Sequence, residues 1–286
     1  MVDPLDVRQA YAACERLARE HYESFPVASR LLPAPMRPHI AAIYAFARRA
    51  DDFADEPGID DRERLRLLAD WESQLTGASR DEVFIALHHT IAACRLPLPL
   101  FVDLLSAFRQ DVTRHRYDTW ADVLDYCRRS ANPVGRLVLR VAGRDDAELD
   151  RRSDAVCTAL QLTNFWQDFA RDWQSGRLYV PREEYERAGA SETELAEGRI
   201  SPAWRTALTA AAARTRTLFD EGRAVCDGVD GRLRWELRAT WLGGRRVLDK
   251  LERSGFDVFR HRPTLTVADA PHLFWRMMTW RKVVSR

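Results

Sequence analysis

No apolar run in this 286-residue sequence approaches the roughly 18 residues that a membrane-spanning helix needs. The amino terminus, MVDPLDVRQA, lacks a basic stretch followed by an apolar one, so no secretory signal is expected. A surplus of either charge is missing too: 44 basic and 43 acidic residues leave a formal net charge of +1. That balance excludes a global field steering the chain to nucleic acid, and any charge recognition must be local. The five cysteines (Cys14, Cys94, Cys127, Cys157 and Cys226) lie far apart without a C-x-x-C pair, which excludes a small disulfide framework and predicts reduced, mostly buried thiols. Seven histidines form no H-E-x-x-H or Cys/His spacing, and no E-x-x-H occurs, so zinc and di-iron sites are disfavoured. These absences predict a cytoplasmic protein without a transmembrane anchor.

Runs of alternating β-branched residues are also lacking, whereas apolar residues recur at three and four spacing almost throughout, so the prediction is an all-α fold without strands. With 46% apolar residues and no repeat or linker, residues 1–286 read as one domain. Pro38 suits the first turn of a helix running to Asp55, Pro57-Gly58 stops it, and the next helix starts near Asp60. Pro97 and Pro99 break the middle. Thr119 with Asp122, Ser201-Pro202, and Thr266 with Asp269 read as helix starts. The longest pattern, Ala147 to Trp173, would span about 40 Å as a helix.

Two polar constellations interrupt this apolar pattern. In YAFARRADDFADE, Tyr44, Arg48, Asp51, Asp52 and Asp55 follow helical spacing and share one face. Asp51 and Asp55 repel at i,i+4 by roughly 0.2 to 0.5 kcal/mol, a penalty that a bound cation reverses; pairing with Arg48 and Arg49 is the plainer alternative. In QLTNFWQDFARDW, Gln161, Asn164, Asp168 and Asp172 fall on one stripe among Leu160, Leu162, Phe165, Trp166 and Phe169. Carboxylates in that setting call for a metal or cation, or else belong to a hydrogen-bonded network. Magnesium takes about six oxygens, commonly one or two from carboxylates with the rest from water and phosphate, so paired aspartates on facing helices suit a metal-bridged diphosphate.

At this point the chain resembles the squalene and phytoene synthases, all-α enzymes that join or rearrange prenyl diphosphates. The resemblance is carried by HYESFPVASRLLP, YAFARRADDFADE, RQDVTRHRY, YCRRSANPVGRLVL, NFWQDFARDW with GRLYVP, and GFDVF with RHRPTLT, so it covers nearly the whole chain. SFPVASRLLP, RSANPVGRL and NFWQD are most similar to the hydroxysqualene-forming subgroup of bacterial hopanoid pathways. It implies an isoprenoid-synthase-type helical bundle around an apolar cavity. There presqualene diphosphate loses diphosphate and rearranges, and water captures the cation to give hydroxysqualene, with Mg2+ and without nicotinamide. Carried over by position, Asp51, Asp52, Asp55, Asp168 and Asp172 hold magnesium and diphosphate with help from Asn164, while Arg48, Arg177 and Arg262 grip diphosphate oxygens. Surface ion pairing is the alternative for all three and the plainer reading for Arg262. Tyr44, Tyr126 and Tyr179 match positions lining the reaction cavity, with Gln161 and Phe165 beside the substrate. Phe25, Tyr44, Phe165 and Tyr179 offer aromatic faces to passing positive charge.

The sequence departs from the family pattern at Gln167 and Arg171, where condensing members carry an arginine and an acid, and at Gly243-Gly244, which interrupts a helix that relatives continue. Arg171 stands where it can either contact diphosphate directly or neutralise Asp168 from three residues away. His21, Asn132 and Tyr126 are candidates for holding the captured water, each with a packing or capping role as the plainer reading. The terminal HLFWRMMTWRKVVSR reads either as a helix docked on its own domain or as an interfacial helix at the inner face of the membrane. Enzymes of the same pathway are candidate partners. Two rival readings remain: head-to-head condensation to presqualene diphosphate or phytoene, and a non-catalytic scaffold that has kept the fold.

Overall fold

The computed structural model describes residues 4–20 and 31–281, so His21 and Phe25 lie outside the described residues. Among these residues there is no strand; a single isolated bridge joins Arg116 to Leu178. The all-α expectation holds, and among the described residues no helix is long and apolar enough to cross a membrane. The chain divides into two compact units, Met1–Thr113 with Pro133–Asp150, and Arg114–Asn132 with Arg151–Arg286.

The first unit holds α1 (Pro4–Glu20), α2 (Arg37–Asp55), α3 (Asp61–Ser73), α4 (Glu82–Cys94) and α5 (Leu98–Thr113). Pro38 sits in the first turn of α2 and Asp60 caps α3 through the Glu63 N–H, as the punctuation predicts. Pro99, expected to break the chain, instead occupies the first turn of α5, where its missing N–H has no intrahelical role; only Pro97 lies between helices. Helix α2 packs against α1, α3, α4 and α5 through Ile40, Ile43, Phe46 and Ala50. Phe46 is fully buried, edge-on to Phe84 at 6.0 Å and Phe101 at 5.4 Å, and its carbonyl accepts from Trp71 Nε1 at 3.3 Å. With that face committed to the core, the Tyr44–Arg48–Asp52 face is left for chemistry.

The remaining helices are α6 (Trp120–Ser130), α7 (Asn132–Val141), α8 (Ala147–Gln174), α9 (Arg182–Arg187), α10 (Glu192–Leu195), α11 (Pro202–Gly222), α12 (Gly231–Arg253) and α13 (Ala270–Met278). All but α7 and the start of α8 belong to the second unit, where Trp166 is fully buried and donates to Thr215 Oγ1 at 2.9 Å, tying α8 to α11. Capping boxes form at Thr119–Asp122 and Thr266–Asp269, the latter on a short 3-10 turn. Gly243-Gly244 does not interrupt α12. The helix runs through both, and a Cβ on Gly244 would stand 2.5 Å from Leu160 Cδ2 and 2.8 Å from Phe219 Cζ. The glycine marks a close approach to α8, which outweighs its low helix propensity.

Candidate active site

On α2, Arg48 reaches forward one turn and binds both acids, Asp51 at 3.3 Å and Asp52 at 2.7 Å. Tyr44, Arg48, Asp51 and Asp52 are half-buried, whereas Asp55, one turn further, is exposed. Burial pushes the Tyr44 phenol up, with Arg48 working against the shift and Asp51 and Asp52 adding to it. Arg48 Nε is buried without a hydrogen-bond partner, an arrangement that costs about 1–3 kcal/mol until an acceptor arrives. The arginine therefore neutralises the acids and still holds an unused donor.

On α8, Asp168 has only 17% of its side chain exposed and is gripped by Arg262, whose Nε and Nη2 donate to the two carboxylate oxygens at 2.5 and 3.0 Å. This fork is the strong geometry for a guanidinium on a carboxylate, so Arg262 belongs to the second acid cluster and not to ordinary surface pairing. Arg171, 70% exposed, stands 3.7 Å from Asp168 and adds little. Gln161 and Asp172 are half-buried and Asn164 is exposed. Gln167, the departure from the family pattern, donates through Nε2 to the Pro263 carbonyl at 2.6 Å. Two polar ties at positions 167 and 168 thus fasten the segment around residue 263 to α8.

Tyr126 and Tyr179 are brought together, along with two neighbours. Phe165 and Tyr179 stack face to face with centroids 3.7 Å apart, and Tyr126 lies 6.0 Å from Phe165 and 5.8 Å from Tyr179. Tyr117, inside RQDVTRHRY but passed over in the sequence, stacks on Tyr179 at 5.6 Å. It gets there because Gly176, at φ +79, turns the chain after α8 so that the Leu178 N–H donates to His115 and the Arg182 N–H to Tyr117. Arg177, half-buried in that turn, closes its backbone N–H on the Asp172 carbonyl at 2.7 Å. Arg116 packs over Trp173 at 5.3 Å and binds Glu192 and the Gly176 carbonyl, further fixing the turn. Four rings form a buried wall one helical turn from Asp168. Asn132, a candidate for holding water, accepts from Thr158 Oγ1 at 2.9 Å and is buried, which favours its packing role.

Among the described residues no three His, Cys, Asp or Glu side chains converge as a metal cage. Magnesium does not require one, since it keeps several waters and takes one or two carboxylates beside phosphate. The donors on α2, and separately that of Asp168 on α8, are hard carboxylate oxygens beside guanidinium groups, and each suits magnesium with phosphate and not zinc.

An all-α fold that carries an arginine-tied aspartate pair on α2, an arginine-tied aspartate on α8 and an aromatic wall has the architecture of isoprenoid synthases. Residues 18–269 match the sequence model of the squalene/phytoene synthase family, and the chain belongs to that family. It is 42% identical over 201 residues to the hydroxysqualene synthase of Zymomonas mobilis, covering 69% of this chain and 67% of that protein. With the hydroxysqualene synthase of Rhodopseudomonas palustris the identity is 36% over 233 residues, 80% of each chain. The crystal structure of squalene synthase HpnC from Alicyclobacillus acidocaldarius superposes with a TM-score of 0.83 at 42% identity, over 89% of this chain and 97% of that one. The chain is thus an enzyme of isoprenoid diphosphate metabolism.

Proposed function

We propose that this enzyme converts presqualene diphosphate and water into hydroxysqualene and diphosphate. The observation that carries the reading is the 42% and 36% identity to two hydroxysqualene synthases over more than two thirds of the chain. The acids Asp51, Asp52 and Asp55, and Asp168 and Asp172 with Asn164, would hold magnesium, which when bound offsets the charge of the departing diphosphate. Arg48 and Arg262 are anchored on these acids, so each acid cluster would offer phosphate oxygens a cation held in place before the C–O bond breaks. Arg177, beside Asp172, adds a third.

The C–O bond to diphosphate breaks with its electron pair leaving on oxygen, the carbon skeleton rearranges, and a water oxygen bonds to the final cation and releases one proton. Phe165, Tyr179, Tyr126 and Tyr117 supply apolar surface to the chain and aromatic faces to the cation, worth about 0.5–2 kcal/mol per contact. Gln167, with its amide bound to Pro263, supplies no cation at the position where condensing relatives carry arginine, in keeping with a substrate that brings one diphosphate instead of two. The test is product analysis by mass spectrometry after incubation with presqualene diphosphate or farnesyl diphosphate, with magnesium and without nicotinamide. Hydroxysqualene from presqualene diphosphate is expected; exclusive turnover of farnesyl diphosphate rejects the reading in favour of head-to-head condensation.

A further inference from the structure

Helix α13 has no buried residue, yet it is among the most apolar segments of the surface. Leu273, Met277 and Trp280 recur at helical spacing and are half-buried, so one stripe already rests on the protein. The opposite stripe should then be polar. It is not: Phe274, Trp275 and Met278 are 61%, 60% and 59% exposed. Five of the seven exposed large apolar side chains among the described residues fall between Leu265 and Met278. A helix that is apolar on both faces needs a second covering.

Charge indicates what that covering is. From Ala270 to Arg281 the chain contains Arg276, Arg281 and His272 and no acid. Beside it lies a cavity of about 420 Å3 whose lining includes Arg223, Trp241, Trp275, Arg276, Trp280 and Arg281. Its floor is fixed before any ligand arrives. Arg223 packs over Trp280 at 4.1 Å and donates to the Arg281 carbonyl at 2.7 Å, and Trp241 meets Trp280 edge-on at 5.3 Å. The nearby acid Asp227 is bound by Arg238 at 2.9 Å, so it does not cancel the arginines of the cavity. Guanidinium groups with tryptophan at one depth, and Phe, Trp and Met projecting beyond, match an interface that is anionic at the headgroups and apolar beneath them.

We propose that α13 docks this enzyme on an anionic phospholipid surface, with Phe274, Trp275 and Met278 entering the acyl boundary and the arginine–tryptophan cavity receiving a headgroup phosphate. The inference concerns where the enzyme works, and it stands or falls separately from the reaction proposed above. Flotation of the full chain with phosphatidylglycerol–phosphatidylcholine vesicles, and with phosphatidylcholine alone, tests it. About tenfold stronger binding to the anionic vesicles is expected, weakening at high salt. A Phe274→Ser, Trp275→Ser, Met278→Ser variant should lose about tenfold on the anionic vesicles, and Arg276→Glu with Arg281→Glu should abolish the preference for them. Circular dichroism checks that each variant is folded, and the charge-reversed variant decides the matter where the apolar one does not fold. Turnover of detergent-dispersed presqualene diphosphate should be unchanged in both. Wild-type binding that ignores lipid charge, or variants that float like wild type, overturns the proposal. So does a wild-type dimer in sedimentation that the apolar variant reduces to monomer without any flotation, because the covering is then a second copy. Displacement by millimolar inorganic phosphate with no dependence on vesicles would reduce the cavity to a phosphate site and equally reject the docking.

Discussion

Two adjacent glycines in α12 should respond in opposite senses to the same substitution. At Gly244 an added Cβ lies 2.5 Å from Leu160 Cδ2, 2.8 Å from Phe219 Cζ and 3.1 Å from Phe219 Cε1, whereas ordinary contacts begin at 3.4 Å. Phe219 is fully buried, and its carbonyl accepts from Trp241 Nε1 at 2.7 Å, so the ring and its backbone have little room to retreat. Overpacking of this kind costs about 1–3 kcal/mol. Alanine returns about 0.8–1.0 kcal/mol over glycine inside a helix, leaving Gly244→Ala destabilised by up to about 2 kcal/mol. At Gly243 the single close atom is Leu265 Cδ1 at 3.2 Å, the tip of a side chain that is 43% exposed and free to move aside. Gly243→Ala should therefore be neutral or gain up to about 1 kcal/mol. With about 2–4 °C per kcal/mol for a chain of this size, Tm should fall by up to about 8 °C in the first variant and hold or rise by up to about 4 °C in the second. Thermal unfolding followed by circular dichroism reads both. Equal shifts of one sign would refute the close-approach account of Gly244 and return α12 to a simple propensity argument.

Arg262→Gln removes both bonds to Asp168 and should lower kcat/KM by about tenfold to a hundredfold, with Arg262→Lys restoring only part; an unchanged kcat/KM would remove Arg262 from the site. Cys14 and Cys226 are buried, with pKa values pushed up to about 12, so both should be inert to thiol reagents at pH 8 until denaturant is added; rapid labelling of the native protein would contradict their burial. Burial, reinforced by His89, pulls His39 below its ordinary 6.5. The unfolded chain then takes up that proton first as pH falls through 6.5, so stability is full at pH 8 and declines until the folded-state value is passed. Tm measured from pH 8 to pH 5 should drop less in His39→Gln than in wild type, and parallel curves would exclude His39 as the cause.

The helix boundaries were legible because local chemistry sets them. Asp60, Thr119 and Ser201 each cap the helix that follows by accepting from a backbone N–H three residues on, and that geometry lies within four residues of sequence. The acid stripes on α2 and α8 were legible for the same reason, since three and four spacing fixes a face without knowledge of neighbours. What the pattern could not carry was partnership across long separations. Arg262 and Asp168 are 94 residues apart and Gln167 and Pro263 are 96 apart, and neither pair leaves a periodic trace. Gly244 was misread because a glycine in a helix looks like a weakness until the opposing Leu160 and Phe219 are known.

These long-range contacts explain how a largely buried aspartate is accommodated on α8. A carboxylate with 17% exposure and no partner would be costly to bury, and the role proposed for Asp168 in holding magnesium needs a carboxylate. The fork from Arg262 resolves the conflict by supplying a full positive charge from another part of the chain, and the Gln167–Pro263 bond fixes the backbone one residue from the arginine that delivers it. On α2 the same need is met locally, by Arg48 one turn before Asp51 and Asp52. The local solution could be read from spacing, and the distant one required the fold. Each leaves an arginine fixed against its own carboxylates, from one helical turn away on α2 and from 94 residues away in sequence on α8.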